Sequence, residues 1–161
     1  MPRSSPTLVR AIENPCAIIR SLGVLTDTWT FLLVREALLG TQTFAQFRDS
    51  LGIASDVLTA RLASLVEHGV MERTPYQEPG QRTRDAYHLT PAGEDLKTVL
   101  VAMQQWGHAH VPQDPELRVV PLTVEGHRRV RAELVDPAGR VVAPEAVRFM
   151  RTAPRPAPME A

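Results

Sequence analysis

Residues 53–89, IASDVLTARLASLVEHGVMERTPYQEPGQRTRDAYHL, constrain the fold more than any other stretch of this chain. Leu58, Leu62, Leu65 and Val66 recur at helical spacing and form one apolar stripe. Ser55, just ahead of the stripe, has the chemistry of an N-cap, a hydroxyl that accepts a free N–H of the first turn. Asp56, Thr59, Ala60, Ala63 and Ser64 fall largely on the other faces. They are small or polar, so that side can approach something bulky. Gly69 ends the helix by tolerating left-handed backbone. Two strand-like runs follow, 70–76 and 85–89, and their connection holds Pro79, Gly80, Arg82 and Arg84. A helix followed by a hairpin with a basic tip is the plan of a winged helix-turn-helix. The expected fold class is therefore mainly α with a β wing.

The preceding residues supply the other half of that plan. Residues 1–13 read as a flexible arm. Asn14 and Pro15 suit N-cap and N1 of a helix that continues through Ala17, Ile18, Ile19 and Leu22 and stops at Gly23. Asp27 can cap a second helix, 28–39, which is apolar nearly all round and so expected to be buried. Thr43 and Gln46 have the spacing of a capping box for a short helix, 44–50, with Phe44 and Phe47 inward. Gly52 breaks it, and the helix of the opening stretch begins three residues later. The pair forms a helix-turn-helix.

After the wing, Thr90 and Pro91 start a long amphipathic helix, 91–110, with Leu96, Val99, Leu100, Met103 and Trp106 on its apolar side. Such a face at the end of a small domain needs a cover: the same helix of a second copy is the cheapest one, and folding back on its own core is the alternative. Leu96, Leu100, Met103 and Trp106 are the expected dimerisation residues, with help from 16–22. Residues 113–151 read as a small β appendage packed on the helical domain. Its strands run near 119–124, on either side of Asp136-Pro137-Ala138-Gly139, and near Val147–Phe149. A Pro/Ala-rich tail, 152–161, reads as disordered. The helical domain itself spans 14–112.

Charge narrows the partners. The 18 Lys+Arg balance the 18 Asp+Glu, so general affinity for nucleic acid is not expected. Counted over residues 1–111, 10 Lys+Arg face 11 Asp+Glu, so positive potential has to be local. Arg82 and Arg84, with no acid among residues 80–84, provide it. A single cysteine, Cys16, excludes an internal disulfide and any multi-cysteine zinc site. No apolar run is long enough to span a membrane, and the N-terminus lacks an apolar signal core, so a cytoplasmic protein without a membrane partner is expected.

Several segments together resemble one family. CAIIRSLGVLTDTWTFLLVREALLG (16–40), FAQFRDSLGIASDVLTARLASLVEHGVMER (44–73), YHLTPAG (87–93) and QWG (105–107) occur in the order found in the HxlR branch of the MarR-like winged-helix regulators. The resemblance covers roughly residues 15–110. It implies a homodimeric DNA-binding repressor or activator on a palindromic operator, often beside its own gene. Some long members carry a zinc-ribbon-like cysteine pattern in a C-terminal extension. Residues 113–161 contain no cysteine, so zinc is not expected there.

Site residues follow from this frame. Ser55, Asp56, Thr59 and Ala60 lie where such a helix meets base edges, and Asp56 suits a cytosine amino group or a capping role. Arg48 and Arg61 can reach phosphates, and Arg82 and Arg84 the phosphates or the minor groove. Arg73 is a cross-strand partner for Asp85. Cys16, placed at N2 of its helix, occupies a position through which some family members sense oxidants or electrophiles. His108, His110 and His127 make a poor metal set, and neither metal nor cofactor is expected. No nucleophile–base pair, phosphate-cradling glycine loop or paired carboxylate stands out, so no enzyme is expected. The expectation is a sequence-specific homodimeric regulator on an inverted-repeat operator, responsive to a small molecule or to oxidants. The alternative is a winged-helix protein-interaction module that does not bind DNA.

Overall fold

The computed structural model describes residues 11–77, 79–80, 82–111 and 119–150. Residues 1–10 of the arm expected over 1–13, and the tail expected over 152–161, lie outside the described residues. The chain divides into two compact units, Met1–Leu100 and Val101–Ala161, and the boundary falls inside the long last helix.

In the first unit, α1 (Ala17–Val24), α2 (Thr28–Leu38), α3 (Phe44–Leu51) and α4 (Ser55–Glu67) precede an antiparallel pair, β1 (Met71–Tyr76) and β2 (Arg84–Leu89). A short α5 (Pro91–Glu94) and α6 (Leu96–His110) follow. The single helix expected over 91–110 is thus interrupted at Asp95.

Local chemistry accounts for most of the element ends. Asp27 caps α2, its carboxylate accepting from Thr30 N. Thr43 and Gln46 close the expected capping box on α3: Gln46 N donates to Thr43 Oγ1 and Thr43 N to Gln46 Oε1. Such a cap stabilises a helix by about 1 kcal/mol. Gly52, at φ +60°, turns the chain from α3 into α4. Thr90 caps α5 through Gly93 N and donates its hydroxyl hydrogen to Gly69 O, 2.6 Å away.

Three expectations at helix starts and stops are corrected. Ala11–Glu13, expected as part of a loose arm, form a 3-10 turn with Ala11 fully buried. Gly23 lies within α1 instead of ending it, and a Cβ there would come within 2.9 Å of Ala11 Cβ. Its role is to admit that turn. Helix α1 also begins later than expected, at Ala17 with Cys16 as N-cap, because Asn14 Oδ1 accepts from Cys16 N and closes a turn ahead of the helix.

The core is Leu33 and Val34 of α2, Phe47 of α3, Ile53, Leu58, Leu62 and Leu65 of α4 and its approach, and Val70 and Met71 at the start of the hairpin. Burying a side chain of this size contributes about 1.5–3 kcal/mol. Not all of α2 is covered: Trp29, Phe31 and Leu32 are half-buried, and Leu39 at its end is exposed. The wing strands run in register from Met71 opposite Leu89 to Tyr76 opposite Arg84. A third backbone segment joins them: Tyr87 N donates to Gln42 O at 2.7 Å, and Thr43 bridges Ala86. This stitch, absent from the sequence reading, ties the start of α3 to the base of the wing.

In the second unit, the expected strands are reduced to two isolated bridges, Leu122–Arg129 and Val135–Val141. The turn at Asp136–Arg140 does form: Asp136 Oδ1 accepts from Ala138 N and Arg140 N, and Gly139 takes φ +77°. Hydrogen bonds from Arg140 hold the Asp136 carboxyl below its usual pKa. In place of the strand expected near Val147–Phe149, Pro144–Ala146 make one 3-10 turn. No residue in 119–150 is buried, so no core enforces a strand register there. The segment is attached instead to the end of α6. Gln105 exchanges two hydrogen bonds with the Ala132 backbone, and Gln104 donates to Val119 O.

Candidate nucleic-acid interface

Helix α4 has two unlike sides. Leu58, Leu62 and Leu65 are fully buried and anchor it. Ser55, Asp56, Thr59, Ala60 and Ala63 are exposed. The exposed side is therefore small and polar, and it is backed by a packed core.

The start of α4 differs by one residue from the sequence reading. Ala54 is the N-cap, and Ser55 is the first helical residue. Burial of Ile53 and Leu58 on either side sets this register. Ser55 is left with no side-chain hydrogen bond among the described residues, so its hydroxyl is free at a dipole-positive helix end. Thr59 Oγ1 donates to Ser55 O at 2.7 Å, which commits its hydrogen to the helix backbone and leaves the hydroxyl oxygen able to accept.

The arginines separate into two groups. Arg82 and Arg84 are exposed, and among the described residues neither makes an ion pair. Arg84 lies at the first position of β2, and Gly80 in the connection takes φ +78°. Arg48 is exposed but pairs with its neighbour Asp49 at 3.0 Å. Arg61, expected to reach a phosphate, forms an ion pair with Asp27 at the start of α2. Arg73, opposite Tyr87, pairs at 3.5 Å with Asp85, two residues off the cross-strand register. Burial raises the pKa of the neighbouring Tyr87, Asp85 adds to the rise, and Arg73 offsets part of it.

The expected dimerisation residues also divide. Leu96 and Leu100 are half-buried against the core of their own chain. Met103 and Trp106 are exposed, Trp106 at 62%, and Val99 joins them at helical spacing. Ile18 and Leu22 of α1 are exposed as well. Cys16 is an exposed free thiol at the N-cap of α1, not at N2. Among the described residues, no group of three or more His, Cys, Asp or Glu is placed to hold a metal ion. No single helix among them is long and apolar enough to cross a membrane. A cavity of about 140 Å³ lies in the second unit, lined in part by Val101, Gln104, His108 and Arg129.

Two helices joined by a tight glycine turn, the second with an exposed small-residue face, followed by a two-stranded hairpin with exposed arginines, define a winged helix-turn-helix. Residues 24–115 match the HxlR-like helix-turn-helix family, and the chain belongs to it. An uncharacterised HTH-type transcriptional regulator of Mycobacterium tuberculosis is 39% identical over 94 residues. That match covers 58% of each chain, so the present chain spans little more than half of that relative's length. Among solved structures, PA1607, described as a candidate transcription factor, superposes with a TM-score of 0.75 at 35% identity. The superposition covers 87% of this chain and 97% of that one. The redox regulator HypR in its reduced form gives a TM-score of 0.53 at 25% identity, over 58% of this chain and 92% of its own. These relatives are regulators, a non-enzymatic class.

Proposed function

We propose that this chain is a sequence-specific transcriptional regulator that binds an inverted-repeat operator as a homodimer. The observation that carries the reading is the exposed face of α4, held by three fully buried leucines and accompanied by two exposed wing arginines that make no ion pair among the described residues. In this reading Ser55, Asp56, Thr59 and Ala60 meet base edges in the major groove, while Arg82 and Arg84 contact the neighbouring backbone or minor groove. Arg48 reaches a phosphate by exchanging its exposed pair with Asp49. Dimerisation buries the apolar residues that one chain leaves open: Ile18, Leu22, Val99, Met103 and Trp106.

A mobility-shift titration with DNA flanking the protein's own gene tests the proposal. The expected result is a discrete complex that survives excess random DNA and disappears with excess unlabelled operator. A folded protein that shifts no genomic fragment would instead support the protein-interaction reading.

Effector response is a second part of the proposal. Cys16 is exposed, and the similar protein HypR is a redox regulator. Mild oxidant or a quinone is expected to weaken operator binding, and Cys16→Ser to abolish that response. An undiminished response in Cys16→Ser excludes this thiol as the switch.

A further inference from the structure

We propose that Asp27 and Arg61 form a strut that orients α4, so that Arg61 serves operator selectivity by positioning the helix and not by touching a phosphate. The proposal rests on the DNA-reading role of α4 given above. Arg61 follows directly on the exposed Ala60, yet its Nε is buried and lies against Asp27 Oδ2 as an ion pair without a hydrogen bond. The other oxygen of the same carboxylate is also committed. Asp27 Oδ1 accepts from Thr30 N at 3.1 Å and from Thr30 Oγ1 at 3.0 Å, and Thr30 is itself only 2% exposed. One carboxylate therefore closes the first turn of α2 and holds the middle of α4.

The remaining attachments of α4 differ in kind. Leu58, Leu62 and Leu65 bind it tightly, but apolar contact is non-directional and tolerates small rotations and slides. An ion pair ties one point of α4 to one point of α2, so sliding or rotating the helix separates the two charges. The side chains of Arg61 and Asp27 are 35% and 27% exposed, against 48% and 68% for Arg48 and Asp49. The strut is therefore less open to salt and water than the surface pair on α3. Base readout requires side chains placed to within about 0.5 Å, whereas phosphate attraction tolerates much more. A positioning residue here should affect the operator and spare random DNA.

The test is a salt series on operator and random DNA with the full chain, comparing wild type, Asp27→Asn, Arg61→Gln and the double variant. Asparagine keeps the oxygen that caps Thr30 and removes the charge that holds Arg61. Each single change is expected to weaken operator binding about fivefold or more, leave random DNA and the salt slope unchanged, and show no further loss in the double variant. The proposal is overturned if Arg61→Gln flattens the slope by up to about 1.8 for a dimer while Asp27→Asn binds as well as wild type or better. That pattern belongs to a phosphate contact. Independent, additive losses overturn it too. Asp27→Asn provides a second reading if an Arg61 variant fails to fold. It leaves the arginine charge in place for a phosphate, so the strut requires lost selectivity and a phosphate contact requires binding as good as wild type or better. A wild-type protein that binds no DNA overturns the regulatory reading itself, an outcome distinct from the others.

Discussion

Replacing both Arg82 and Arg84 with alanine is expected to flatten the salt dependence of operator binding by up to about 3.6 in log K per log salt. Each phosphate neutralised on B-DNA contributes about 0.9 to that slope, and a dimer presents four wing arginines. The premise is structural: both side chains are exposed, and among the described residues neither is held in an ion pair. Their charge is available without first breaking an internal contact. The wing arginines add charge without base readout, so their loss should be felt on random DNA as strongly as on the operator. Fluorescence anisotropy across a salt series measures both. A double variant with the wild-type slope and affinity on a verified operator would remove the wing from the interface.

Trp106→Asp is expected to yield a folded monomer that has lost about 10²–10⁴ in apparent operator affinity. The side chain is 62% exposed and lies outside the core, so the winged domain should unfold as the wild type does. What the change removes is the linkage of two half-site contacts into one binding event. Neither half gains from the other once the partner is gone. Light scattering at micromolar concentration gives the mass, and a half-site titration gives the residual affinity of one chain. The dimer proposal does not survive a wild-type protein at single-chain mass, or a Trp106→Asp variant that stays dimeric and binds normally.

Much of the fold and part of the candidate site were legible in the residues because the interactions that shape them are local. The Thr43–Gln46 capping box, the Asp27 and Thr90 caps, and the left-handed glycines at 52 and 69 are each decided within a few positions. The stripe of Leu58, Leu62 and Leu65 points one way at helical period, so the small face of α4 had to point the other way. Arg82 beside a glycine-containing turn was visible for the same reason, whereas Arg84, read as part of the connection, opens β2.

Tertiary structure decided the questions whose answers lie far away in the chain. Arg61 looked like any helix-face arginine until folding brought Asp27, on another helix, within reach. Gly93 looked like part of a helix start, but a Cβ there would meet Val70 O at 2.2 Å, a constraint imposed by the base of the wing. Leu96 and Leu100 carry the same periodic signal as Met103 and Trp106, and only packing assigns the first pair to the chain's own core and leaves the second pair exposed. Residues 119–150 alternate like strands, but pairing needs a buried face to choose a register, and none forms among them. Periodicity, caps and turns are properties of neighbouring residues and can be read in order. The partner of a charge and the covered side of an apolar stripe depend on which distant surfaces meet.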